Sequence, residues 1–143
     1  ALCRPGDVIA RWGGEEFLMA CPDLTAAQAC TVAARLHERL GGARELAPGR
    51  AWDLTVSLGF APFPFFEEGR ERWEYAIRLA DRALYAAKDR RNAWAGLWGR
   101  ALPDGTSAAG VLEEPESAVR SGHVDLMASY AIERLPKVVM RAA

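Results

Sequence analysis

The sequence is poor in cysteine, lacks a long apolar run and carries almost no net charge. Its three cysteines, Cys3, Cys21 and Cys30, are too few and too scattered for a disulfide framework. No Cys-x-x-Cys pair marks a zinc site, so three reduced thiols are expected. No stretch approaches the roughly 18 consecutive apolar residues of a membrane-spanning helix, and no secretory leader is visible. Eighteen basic residues against nineteen acidic ones leave a formal charge of -1, so nothing suggests a general polyanion binder, and no nucleic acid polymer is expected as a partner. A cytoplasmic location is expected, with the parent protein free to be membrane-anchored through a region outside this sequence. The chain starts at Ala1 without an initiator methionine, which points to a fragment or a processed form.

What is present is ordinary globular material. A chain of 143 residues, 50% hydrophobic and 26% charged, fits one domain with a real core. Residues 7–12 and 15–21 are short apolar-rich runs on either side of Gly13-Gly14, a hairpin signal because glycine supplies positive φ cheaply. Asp23 or Thr25 can cap a helix over 25–40, whose stripe is Ala29, Val32, Ala33, Leu36 and Leu40. A loop is expected to about Arg50, then a strand over 52–61 that ends at Pro62 and Pro64. Residues 71–90 carry Trp73, Ala76, Ile77, Ala80, Leu84 and Ala87 at helical spacing. A strand-like exit over 92–98, a turn-rich linker over 99–110, a helix near 111–120 and a strand near 123–128 follow. The stretch 130–143 reads as weakly helical, broken at Pro136.

Glu15 and Glu16 beside the glycine turn form the first chemical signal. Adjacent carboxylates at a hairpin tip need solvent or a cation, and such hard oxygen donors suit Mg²⁺. The glycines, lacking Cβ atoms, let a bulky ligand approach the backbone. Neighbouring strand residues point to opposite faces. Both glutamates can therefore serve one ion only if the turn distorts the strand or one side chain reaches past its edge. By themselves the four residues also fit a solvated hairpin tip.

Four segments together carry a resemblance. Arg11-Trp12-Gly13-Gly14-Glu15-Glu16-Phe17 resembles the signature R-(aromatic)-GG(D/E)EF of diguanylate cyclases. The segment Leu54 to Ala61, LTVSLGFA, is similar to that family's central strand, and Ala80 to Lys88, ADRALYAAK, to its final helix. Arg91-Asn92 matches the dipeptide that follows. The matches run in order over about residues 4–95.

The resemblance implies an α+β fold of the nucleotide-cyclase and palm type, a mostly antiparallel five-stranded sheet flanked by helices, with the N-terminal part of the domain absent. It implies condensation of two GTP into cyclic di-GMP and two pyrophosphates. Each 3′-hydroxyl attacks the other nucleotide's α-phosphate on Mg²⁺ or Mn²⁺, in a homodimer under an upstream sensor domain. Carried over by position, Glu15 is a metal ligand and a participant in hydroxyl activation, and Glu16 a second metal-site carboxylate. Gly13 and Gly14 make room for GTP, and Lys88 and Arg91 contact its phosphates. The usual Lys-x-x-Gly-Arg-Asn is here Lys88-Asp-Arg-Arg91-Asn92, one residue shorter and without glycine. That departure puts the helix exit and the phosphate contacts in question.

Arg4 and Asp7 end five residues before Gly13, at the offset of the family's inhibitory product site. Arginine can clamp phosphate or stack on guanine, and aspartate can accept guanine N–H bonds. A catalytically silent cyclic di-GMP sensor acting through these two residues is the alternative function. Residues 1–98 are expected to be the C-terminal part of the cyclase domain and 99–143 an extension packed on it. The missing half would carry further metal ligands and the guanine-reading residues.

Overall fold

The computed structural model describes residues 2–66, 71–100 and 108–131. The chain opens with the antiparallel ribbon β1 (Val8–Gly13) and β2 (Glu16–Ala20). Helix α1 (Ala26–Leu40) follows, then a second antiparallel ribbon, β3 (Gly42–Ala47) and β4 (Arg50–Leu54). Strand β5 (Leu58–Phe60), helix α2 (Trp73–Arg90) and strand β6 (Trp94–Gly99) form a parallel β-α-β unit. Helices α3 (Ala108–Glu113) and α4 (Pro115–Arg120) lead to β7 (Val124–Ala128), which pairs antiparallel with β6. The fold is mixed α+β with mainly antiparallel pairing. Among the described residues the strands form ladders of two, two and three. No helix among them is long and apolar enough to cross a membrane.

Of the two caps expected for helix α1, Asp23 and Thr25, it is Thr25 that caps it. Its hydroxyl accepts from the Gln28 N–H at 3.3 Å, and Gln28 Oε1 accepts from the Thr25 N–H at 2.8 Å. This reciprocal capping box satisfies two otherwise orphaned donors. Ala29, Ala33 and Leu36 are buried, and His37 has its Nε2 shielded without a hydrogen-bond partner rather than solvated.

The expected loop before Arg50 is instead the β3–β4 ribbon. Pro48-Gly49 makes its two-residue connection, with Gly49 at φ 72, the proline-then-glycine pattern of a type II turn. The single strand expected over 52–61 is two strands. Between them the Val56 N–H donates to Asn92 Oδ1 at 3.4 Å instead of to a strand partner.

The core lies between α2 and the β5-β6-β7 sheet, with Phe65, Phe66, Leu79, Leu97, Val111 and Val124 essentially solvent-free. Helix α2 buries Ala76, Leu79, Ala83, Ala86 and Ala87. Trp73, read from periodicity as core, is 51% exposed, because the buried stripe is the small-residue face one step around the helix. Small residues let the helix come close to the sheet. A Cβ at Gly59 of β5 would stand 2.2 Å from the Ala80 carbonyl oxygen and the Leu84 nitrogen, so only glycine fits there. The residues expected as a weak helix after 131 lie outside the described residues, as do 101–107 of the linker.

Candidate active site

The site is built from the tip of the first ribbon and the last turn of α2. Gly13 pairs with Glu16, leaving Gly14-Glu15 as a two-residue connection, with Gly14 at φ 53. Positive φ at the first loop position is the requirement of a II′ hairpin, which glycine meets without strain. Trp12 has no cross-strand partner; it is a bulge, which bends the strand just before the turn. Arg11 closes the arrangement. Its Nε and Nη2 donate to the Gly14 carbonyl at 3.0 and 2.7 Å, a two-pronged clamp that a planar guanidinium makes well.

This geometry resolves the problem of alternation. Glu15 belongs to the loop and Glu16 is the first residue of β2, so the two need not face opposite sides of one strand. Both are exposed, and Glu15 has no ion-pair partner among the described residues. A Cβ at Gly13 or Gly14 would meet nothing within 4 Å. The backbone of Gly14 accounts for its glycine. Nothing in the surrounding packing accounts for Gly13.

Lys88 in the last turn of α2 reaches this tip. Its Nζ donates to Glu16 Oε1 at 2.7 Å, with the two side chains 48% and 46% exposed. Arg91, at the end of the same helix, is exposed and takes φ 59, ψ 149, and Asn92 takes φ 46. The chain thus leaves α2 through two consecutive left-handed residues, the conformation a glycine would otherwise provide.

Glu15 and Glu16 have the chemistry for a hard cation. Mg²⁺ is commonly held by one or two carboxylates and completed by water and substrate phosphates. Among the described residues no group of three His, Cys, Asp or Glu side chains could hold a metal ion. The pair fits an ion shared with a phosphate ligand and does not form a cage by itself.

Arg4 and Asp7 lie at the other end of the ribbon and face each other. The Arg4 N–H donates to Asp7 Oδ2 at 2.8 Å, and its Nε to Oδ1 at 3.1 Å. Arg4 Nη2 also donates to the Pro22 carbonyl. The Asp7 side chain is 3% exposed. The Arg4 backbone N–H, followed by its guanidinium, holds the Asp7 carboxyl below its ordinary value, while burial pushes the adjacent Cys21 thiol up. The structure therefore brings Gly13, Gly14, Glu15, Glu16 and Lys88 together, and places Arg4 with Asp7 in a separate staple. Arg11 is the residue whose part was not foreseen. Its signal was an arginine two residues ahead of the glycines, which the sequence offered only as a letter in a motif.

The family profile described as diguanylate cyclase, GGDEF domain, matches residues 1–93. The chain belongs to the GGDEF family. Diguanylate cyclase DosC of Escherichia coli K12 is 31% identical over 100 residues, 69% of this chain and 21% of that protein. Diguanylate cyclase DgcP of Pseudomonas aeruginosa is 38% identical over 89 residues, 59% of this chain and 12% of that protein. Diguanylate cyclase A of Treponema denticola is 31% identical over 85 residues, 59% of this chain and 22% of that protein. The chain thus spans about a fifth or less of the length of these GGDEF relatives. No solved structure matches it.

Proposed function

We propose that the chain supplies the hairpin-and-helix part of a diguanylate cyclase site, which joins two GTP into cyclic di-GMP with release of two pyrophosphates. One observation carries this reading: the Glu16–Lys88 contact, between residues 72 apart in sequence. It unites the acidic hairpin tip with the cationic end of α2, so a cation-binding and a phosphate-binding group share one exposed place. In this reading Gly13 and Gly14 leave the backbone open to the nucleotide, and Lys88 and Arg91 bind its phosphates. Glu15 receives the proton of the attacking 3′-hydroxyl, and Glu15 and Glu16 hold Mg²⁺ or Mn²⁺. The ion, when bound, neutralises charge on the triphosphate. Each active unit is a homodimer with one GTP per protomer, governed by a sensor domain in the parent. Residues 1–98 make up the cyclase part and 99–143 an extension.

Among the described residues no third acidic or imidazole side chain joins the two carboxylates, so by themselves they hold the ion and its substrate only weakly. The 143-residue chain alone is therefore expected to form no cyclic di-GMP from GTP and Mg²⁺. In the full-length parent, Glu15→Gln should lower turnover by about 10²-fold or more, the usual loss for a general base. Turnover that survives this substitution would remove the reading.

A second reading rests on Arg4 and Asp7, which hold one another near the start of the chain, with the Arg4 side chain half exposed and the Asp7 carboxylate beneath it. Here the domain binds cyclic di-GMP and does no chemistry. Calorimetric binding of cyclic di-GMP that disappears in Arg4→Ala, in a full-length parent without turnover, would select it.

A further inference from the structure

Glu16 and Lys88 are each suited to a ligand of opposite charge, yet here they satisfy one another. A divalent cation bonds a carboxylate oxygen at about 2.0–2.1 Å, and the Lys88 ammonium stands 2.7 Å from Glu16 Oε1. A cation on either oxygen of this carboxylate would stand within a few ångströms of the Lys88 ammonium, and the two positive centres repel, so each weakens the other's hold on Glu16. We propose that Lys88 is a positioning residue that occupies Glu16 while the site is empty, and exchanges it for a phosphate oxygen when metal and nucleotide arrive together. The proposal rests on the functional reading above and deepens it.

The exchange has a simple charge balance. A free cation that takes Glu16 breaks one ion pair and leaves Lys88 without a partner. A metal–triphosphate gives Glu16 the metal and Lys88 a phosphate, so no charge is left unmatched. Metal and nucleotide binding are thereby coupled through one lysine, each favouring the other. The geometry permits the swing. Both side chains are about half exposed, the contact is a single bond, and lysine carries its charge on a flexible four-carbon stem. Exposed pairs of this kind are weak enough to open readily.

The test is a Mn²⁺ titration of the full 143-residue chain, read as paramagnetic broadening of the Gly14 to Phe17 amide resonances. Without nucleotide, Lys88→Met should lower the Mn²⁺ concentration for half-broadening by about two- to five-fold, the strength of one exposed ion pair. Lys88→Arg should behave as the unaltered chain, and Glu16→Gln should raise the concentration. With a non-hydrolysable GTP analogue present the order should reverse, Lys88→Met needing more Mn²⁺ than the unaltered chain. Arg90→Met removes a charge from the same helix end, where Arg90 lies over the Tyr130 ring, and reports any general field effect.

The proposal is overturned if Lys88→Met leaves Mn²⁺ binding unchanged or weaker, as a merely structural lysine would. It is overturned equally if Arg90→Met matches Lys88→Met, or if no site-specific broadening occurs in either protein. Glu16→Gln separates the two levels. If it abolishes the broadening while Lys88→Met does nothing, only the exchange fails. If it changes nothing, the metal site itself fails.

Discussion

Arg91 occupies a backbone position that asks for glycine. Its φ of 59 and ψ of 149 lie in a region that side chains avoid, at a cost of about 1–3 kcal/mol. The family pattern keeps a glycine in this stretch, and the shorter Lys88-to-Asn92 segment passes the strain to an arginine. Glycine there also loses more chain entropy on folding, which offsets part of the gain. Arg91→Gly is expected to stabilise the chain by about 1 kcal/mol, seen as a higher urea midpoint at unchanged slope. A lower midpoint would show that the arginine's contacts outweigh its strain. Asp7 makes a second residue-scale prediction. Its carboxyl is held below the ordinary value by Arg4. The stabilisation is therefore complete above the unfolded value of about 3.9 and is lost as pH falls below that. Urea midpoints followed downward from about pH 5 should fall less steeply in Asp7→Asn than in the unaltered chain.

At the scale of the element, α2 is the part on which the site depends, and its last turn is held from outside. The Tyr130 hydroxyl donates to the Ala86 carbonyl at 2.6 Å, and the Arg90 guanidinium lies 5.5 Å from the centre of the tyrosine ring. Tyr130→Phe keeps the ring and removes the bond, so a loss of about 1 kcal/mol is expected. Hydrogen exchange should quicken in the last turn of α2, where Lys88 sits, more than in its first turn. Equal protection at both ends would mean that Tyr130 does not hold the turn. The same scale shows what was legible in sequence. The first ribbon was readable because Gly13-Gly14 stands between two apolar runs, and α1 because Ala29, Val32, Ala33, Leu36 and Leu40 fall on one helical stripe behind a capping residue. The β3–β4 ribbon was not, because Gly42 to Ala47 lacks alternation and Pro48-Gly49 resembles any loop. Helix α2 was readable as a helix, but its buried face was not. Trp73 and Leu84 outweigh alanines in a hydrophobic count, while the close approach at Gly59 selects the alanines.

For the whole molecule, the family match ends at residue 93, but the core does not. Val111, Ala118 and Val124 belong to the same buried cluster as Leu79 and Leu97, and β7 pairs along β6 from Ala95 to Gly99. Cys30 of α1 also meets Met127 of β7, sulfur to sulfur at 3.3 Å. Burying one valine contributes about 1.5–3 kcal/mol, so two approach the total stability of a small domain, about 5–15 kcal/mol. A chain ending at Arg100 is expected to show no cooperative thermal transition and to aggregate through the uncovered edge of β6. A sharp melt from that shorter chain would show the extension to be dispensable.

The sequence by itself determined the features written in a few adjacent residues: the glycine turn, the cap of α1, the acidic pair and the ordered motifs that mark the family. These are local because φ preferences and capping bonds act over one to four positions. Only the tertiary structure decided that Lys88 meets Glu16, that Arg4 reaches the Pro22 carbonyl, that α2 buries its alanine face and that β7 closes onto β6. Each of these depends on distances between distant segments, which packing of the whole chain sets and no local spacing encodes.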